Sequence, residues 1–300
     1  MTDKNKIVWG KPPSNNISLE DCEWYHIMKV PGLDKLTEGI YDLRADIDNI
    51  FGNLDLKNKT LLNLGQSTGY LNFAAEERGA DVTSIDLDIN SAERDWVPRA
   101  NEDWKKDLRK FMDGERRRRN AFWYAHKAFN SKSKLIISHI NNLPKEVGIY
   151  DIGTIFSVLC HIRDPFLALQ RMVSHIKEKI VITELGGYTR RKTLKNFIPN
   201  LFKKIFSKKE SSTLTFVPRY GQIPTKWWKF SPEAIIEMVN ILGFGKTTVN
   251  YHHNLLHDGS KVFYFTVVCE RTVPVEKCDY KFNGNYKDIY PPIELLRSNN

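Results

Sequence analysis

The segment Gly65-Gln66-Ser67-Thr68-Gly69 lies between an apolar run, TLLNL, and a stretch of helical spacing at 70–79. A glycine turn in that setting presents backbone N–H groups and the positive end of a helix at a strand's carboxyl end, where nucleotide-like ligands are held. Asp86 closes the next apolar run 17 residues beyond Gly69, placed to accept hydrogen bonds from both hydroxyls of a ribose. Strand–glycine–helix turns also arise for steric reasons alone, so it is the carboxylate that makes this turn a candidate ligand site. Two glycines four apart depart from the three of GxGxxG, whose third glycine allows close helix–strand packing, and this argues against a nicotinamide dehydrogenase.

Two candidate catalytic groups follow other apolar runs. His161 stands just past the run at 151–159, and an imidazole with its ordinary pKa of ~6.5 is suited to take a proton from a hydroxyl. Its competing role is to pack and hydrogen-bond beneath a cofactor. Glu184, near the end of the run at 179–185, is suited to orient a substrate hydroxyl or to cap the next segment. The stretch DGERRRRNAFWYAHKAFNSK (113–132) sets four arginines ahead of Trp123, Tyr124 and His126. Cations beside aromatics suit an anionic substrate such as a phosphorylated sugar or nucleotide. The arginines read better as a solvated face, and Tyr124 and His126 are assigned to the site.

For these residues to meet, one scaffold must bring the ends of several strands together. Strands are predicted at 60–65, 81–88, 134–140, 151–159 and 179–185, and helices at 70–79, 101–128, 165–176 and 231–244. Such alternation implies a parallel sheet covered by helices on both faces. KTTVNYH (246–252) and KVFYFTVVCE (261–270), joined by the turn HDGS, form a hairpin that closes the sheet antiparallel. Residues 1–50 read as an aromatic-rich lead-in with a helix over SLEDCEWYHI, capped by Ser18 and favoured by Asp21. A core domain over 51–275 and a tail over 276–300 complete the expected organisation.

Hydrophobic residues make up 41% of the chain and charged ones 27%, which places its 300 residues among globular proteins rather than disordered or membrane-embedded ones. No apolar run reaches the roughly 20 residues of a membrane helix. MTDKNKIVWGKPP lacks the apolar core of a signal peptide, so a cytoplasmic location is expected. Cys22, Cys160, Cys269 and Cys278 have no CxxC spacing, which argues against a zinc site and against a disulfide framework. The net charge of +9 is concentrated rather than spread: residues 190–209 hold eight Lys and Arg and no Asp or Glu. Within them Leu194, Phe197, Ile198, Leu201, Phe202, Ile205 and Phe206 recur at helical spacing opposite lysines. This basic amphipathic insertion, within 188–226, is expected to pack as a lid over an acceptor pocket; a homodimer interface and an anionic membrane surface are the alternatives.

NLGQSTG resembles the first motif of the class I S-adenosylmethionine-dependent methyltransferases, with Asn63 at the usual acidic position and Ser67 at the middle glycine. FSVLCHIRDPFLAL resembles the stretch in which those enzymes set a Ser, a Leu and a His beneath the donor's sulfur, here Ser157, Leu159 and His161. WYHIMKVPGLDKLTEGIYDLR, bearing Tyr25 and His26, resembles the lead-in of a subgroup related to wobble-uridine carboxymethyltransferases of tRNA and to glycan-cluster methyltransferases. KWWKFSPEAIIEMVNILGF, bearing Trp227 and Trp228, resembles that subgroup's Trp segment and penultimate helix. The resemblance implies a Rossmann-like α/β fold with a seven-stranded, mostly parallel methyltransferase sheet, and S-adenosylmethionine as cofactor. It places the donor on Asn63, Gly65, Gln66, Ser67, Gly69, Asp86, Leu87, His139, Ile140 and Ser157. In that reading the Asn63 amide oxygen meets the donor's amino group, His139 stands where an acidic residue often meets the adenine amino group, and Ile140 packs on adenine. Tyr25, His26, Tyr124, His126, Trp227 and Trp228 are assigned to the substrate.

Methyl transfer needs in-line positioning of nucleophile, methyl carbon and sulfur, and no metal. The localised charge and the lack of an RNA-binding module favour O-methylation of a small molecule or glycan precursor. Modification of tRNA, and donor binding without turnover, stay open beside it, the latter because Asn63, Ser67 and His139 all depart from the usual pattern.

Overall fold

Near-continuous apolar runs form the buried middle of a sheet, as strands covered on both faces require. The computed structural model describes residues 6–89, 104–186, 211–218 and 226–278. Its strands are β1 (Tyr41–Asp42), β2 (Thr60–Leu64), β3 (Asp81–Asp86), β4 (Lys134–Ile137), β5 (Tyr150–Phe156), β6 (Ile176–Leu185), β7 (Leu214–Phe216), β8 (Trp228–Phe230), β9 (Phe244–Leu256) and β10 (Lys261–Arg271). The helices are α1 (Ile47–Ile50), α2 (Tyr70–Glu77), α3 (Trp104–Ala128), α4 (Pro165–Val173) and α5 (Pro232–Ile241). Eight strands form one sheet in the order β1-β9-β10-β6-β5-β2-β3-β4, and β7 pairs separately with β8. Strands β2 to β6 run parallel, whereas β10 lies antiparallel between β6 and β9. The seven expected strands are present, and the lead-in adds β1, antiparallel to β9 at Leu255 and Leu256.

From β2 the chain winds outward to β3 and β4, then returns to β5 on the other side of β2 and continues to β6. That reversal leaves a crevice at the carboxyl ends of β2 and β5, where ligands bind in open α/β sheets. At the opposite end, Asp151 fixes the register of three strands. Its carboxylate accepts from the backbone N and Oγ1 of Thr60, both at 2.7 Å, and pairs with Lys177 Nζ at 2.8 Å.

Helices cover both faces. On one, α4 and α5 bury Leu169, Met172, Ile235 and Val239 against Leu62, Ile155, Ile180 and Val267. On the other, Ile47 and Ile50 of α1 and Leu71 and Ala75 of α2 meet Leu61, Val82, Ile152 and Val181. Both α4 and α5 begin with proline behind a capping side chain: Asp164 accepts from Leu167 N at 3.0 Å and Ser231 from Ala234 N at 3.2 Å.

The expected helix over SLEDCEWYHI is instead a single 3-10 turn, Leu19–Asp21. Ser18 donates its N and Oγ to Asp21 Oδ2, and Cys22 is already extended. Beyond it the chain pairs at long range, with Tyr25 O accepting from Ile40 N and Tyr41 N and Ile27 N donating to Tyr41 O. The apolar stripe predicted between Leu194 and Phe206 lies outside the described residues, as do most of the 188–226 insertion and of the 276–300 tail.

Candidate functional site

Three turns meet at the crevice. Gly65 has φ +89°, and a Cβ there would stand 2.5 Å from Val158 Cγ2; Gly69 has φ +84°, and a Cβ there would stand 2.6 Å from Phe122 and 2.8 Å from Phe73. Both glycines are therefore required by shape. Ser67, at φ +49°, occupies a left-handed conformation without being glycine, a strain of about 1 kcal/mol. The turn is tied to the next strand, because Gln66 N and Ser67 N donate to Asp86 Oδ2 at 3.2 and 3.3 Å and Leu87 N donates to Oδ1 at 2.7 Å. The Asp86 side chain remains 20% exposed and faces a cavity of about 470 Å³.

That cavity follows the carboxyl edge of the sheet. Gly65, Gln66, Ser67, Asp86, Leu87, His139, Ile140, Ser157, His161, Tyr25 and His26 all line it. His139 caps a short turn after β4 by accepting from Asn141 N at 3.2 Å. His161 is carried on the 3-10 turn Leu159–His161, its N–H donating to Val158 O. From the lead-in, the buried His26 places Nδ1 3.1 Å from Thr68 Oγ1 in the glycine turn. Burial pushes this imidazole down to about 3, so it is neutral at ordinary pH. Burial likewise holds the phenols of Tyr25 and Tyr264 protonated far above their usual range.

Other residues assigned to the site from the sequence lie off the cavity. Asn63, 1% exposed, donates through Nδ2 to Gly65 O (3.0 Å) and Asn72 Oδ1 (3.1 Å), while its Oδ1 accepts from Thr154 Oγ1 at 2.9 Å. Its amide oxygen thus serves a buried network beneath the turn rather than a donor amino group. A carboxylate could not donate to Gly65 O, which gives an amide a local reason to stand at this position. Gly69 shapes the start of α2 without reaching the cavity. Glu184, also 1% exposed, lies behind the turn bearing His161 and accepts from Cys160 N at 3.3 Å. Burial raises its carboxyl to about 7.

Tyr124 and His126 also point away. Tyr124 meets Trp24 edge-on at 6.2 Å, and His126 Nε2 lies 3.0 Å from Ser133 O. The stripe of α3 that does reach the cavity is about two to four turns earlier, at Phe111, Glu115 and Arg118. From the arginine run, Arg118 pairs with Glu115 and, at 2.7 Å, with Glu23. Arg119 Nη2 donates to Leu87 O at 3.0 Å and lies 3.6 Å from Asp86 Oδ2, so these two are not a solvated face. Trp227 and Trp228 instead anchor the wall behind the cavity: Trp227 N donates to Cys160 O at 2.7 Å and Trp228 Nε1 to Arg163 O at 3.0 Å. Lys226 takes the lining position next to them. Tyr41, Phe156 and Tyr264 complete an aromatic end that the sequence reading missed, although Tyr264 stands in an alternating run whose register would have indicated it.

The sequence matches no protein-family profile. It matches no curated protein either. Among solved structures, the chain is similar to magnesium protoporphyrin IX methyltransferase of Synechocystis with bound S-adenosylhomocysteine, at 11% identity over 76% of this chain and 81% of that one, TM-score 0.45. An S-adenosylmethionine-dependent methyltransferase of Methanosarcina mazei is similar at 14% identity over 74% and 96%, TM-score 0.46. The N-terminal domain of EvdMO1, solved with S-adenosylhomocysteine and D-fucose, is similar at 13% identity over 84% and 93%, TM-score 0.47. The strand order itself, a central parallel set closed by an antiparallel hairpin, is that of a Rossmann-like α/β fold.

Proposed function

We propose that this chain is an S-adenosylmethionine-dependent methyltransferase acting on a hydroxyl of a small molecule or glycan precursor. One observation carries the reading: the turn beyond β2, the carboxylate ending β3, His139 and Ile140 beyond β4, and Ser157 and His161 beyond β5 all face one cavity. Its volume falls within the range of small-ligand sites.

The residues present fit the donor. Asp86 offers a partly exposed carboxylate to the ribose hydroxyls, Ile140 an apolar face to adenine, and Gly65 a turn that a side chain would obstruct. When bound, S-adenosylmethionine supplies a methyl group activated on a sulfonium. Ser157, Val158 and His161 would border the reacting end, and His161 would accept the proton of the acceptor hydroxyl. Glu184 would act through backbone, holding the Leu159–His161 turn by its bond from Cys160 N. Tyr25, His26, Tyr41 and Tyr264 would wall the acceptor and keep water from the methyl group.

Calorimetry with S-adenosylmethionine, S-adenosylhomocysteine and NAD tests the donor. Binding of the first two but not NAD is expected, and Asp86→Ala should weaken it at least a hundredfold through two lost charge-assisted hydrogen bonds of about 1.5–3 kcal/mol each. Retained affinity in Asp86→Ala would overturn the assignment. Labelled donor incubated with separate RNA, glycan-intermediate and metabolite extracts then identifies the acceptor class; label in RNA alone would refute the small-acceptor reading.

A further inference from the structure

The ionised side chains lining the cavity are Asp86, Glu115, Arg118 and Lys226. Asp86 is met by three backbone N–H groups and lies near Arg119. Glu115 and Arg118 pair with each other, and Arg118 also reaches Glu23. Lys226 makes no hydrogen bond or ion pair among the described residues. Glu184 and Cys160, on which its charge acts, are buried behind the wall, and Glu184 accepts from Cys160 N.

Lys226 adjoins the turn that carries His161, because its neighbour Trp227 donates its N–H to Cys160 O at 2.7 Å. Along the row of strand ends it lies at the β5–β6 side, with Asp86 at the β3 side. Among the described residues the cavity is thus polarised, with a carboxylate met by backbone N–H groups at the β3 end and an ammonium without an ion-pair partner at the β5–β6 end. A partly buried charge facing a cavity is unfavourable until an opposite charge joins it.

We propose that Lys226 seats an anionic group of the acceptor, a carboxylate or a phosphate monoester, beside His161. This rests on the methyltransferase reading for its assignment to the acceptor rather than to another ligand. The site then selects acidic acceptors, with the hydroxyl to be methylated close to the anionic group.

The test follows tryptophan emission while the full-length protein is titrated with inorganic phosphate and, separately, with acetate, each with and without S-adenosylhomocysteine. Saturable binding of at least one anion to the wild type is expected, weakened tenfold or more in Lys226→Gln and largely restored in Lys226→Arg. Preference for phosphate or for acetate distinguishes the two acceptor chemistries. In parallel, calorimetry should show the affinity of Lys226→Gln for S-adenosylhomocysteine unchanged within twofold. No saturable anion binding to the wild type, or equal binding in Lys226→Gln, overturns the proposal. A tenfold loss of S-adenosylhomocysteine affinity in Lys226→Gln also overturns it, because Lys226 would then serve the donor's own carboxylate. If the wild type binds no S-adenosylhomocysteine, the methyltransferase reading fails, while the titrations without it still decide whether Lys226 is an anion seat.

Discussion

Replacing Glu184 by glutamine should change how stability depends on pH. The native carboxyl holds its proton up to about 7 because it is fully buried, while the unfolded chain releases it near 4.5. Between those values the native state binds more protons than the unfolded one, so stability falls as pH rises from about 4.5 to 7. Below that window both states are protonated, and above it both are ionised. A shift of this size is worth about 3 kcal/mol at ~1.4 kcal/mol per pH unit, with little relief from solvent at a group so deeply buried. Glutamine keeps the shape and an oxygen for Cys160 N but carries no titrating proton. Urea denaturation of both proteins at half-unit steps from pH 4 to 8.5 should show the wild type losing about 3 kcal/mol relative to Glu184→Gln across the window. Since all other groups are common to the two, parallel profiles would refute the burial argument.

Thr154→Val should destabilise by about 1–3 kcal/mol in the same assay, because it leaves Asn63 Oδ1 buried without its donor; an unchanged midpoint would show that the network tolerates the loss. Gly65→Ala should abolish donor binding measured by calorimetry, since its Cβ would stand 2.5 Å from Val158 Cγ2 at a positive φ; wild-type affinity would show that the turn yields. The ring of His26 should stay neutral across pH 5–8 in a nitrogen-detected NMR titration, its midpoint held near 3 by burial. A midpoint near 6.5 would mean that water reaches it.

The features legible in the sequence were local ones. The β2–turn–α2–β3 order around Gly65 and Asp86 could be read because a strand end, a turn and the next strand end follow one another within about 20 residues, the local pattern of a βαβ unit. What escaped depended on orientation set from afar. The phase of α3 about its axis is fixed by packing of Phe122 and Trp123 against Phe73 and Leu135, and that rotation turns Tyr124 and His126 away while bringing Arg118 and Glu115 to the cavity. Long-range contacts, Trp227 N to Cys160 O and Trp228 Nε1 to Arg163 O, accompany the placement of Lys226 rather than its tryptophan neighbours on the cavity lining. Neither the spacing nor the composition of KWW contains that information. The lead-in departs from the helical expectation for a similar reason: Ser18 and Asp21 close a single 3-10 turn, and Tyr25 and Ile27 are claimed by Ile40 and Tyr41.

The two-residue strand β1 bears on how the protein is made. Tyr41 and Asp42 pair with Leu256 and Leu255, so a ribosome that has released the lead-in must add about 200 more residues before its partner strand emerges, an interval of roughly 10–40 s at ~5–20 residues per second. Tyr25, His26 and Tyr41 therefore wait through most of synthesis for the hairpin that also brings Tyr264. The aromatic end of the pocket, where Tyr41 and Tyr264 meet, therefore cannot form until β9 and β10 have been made.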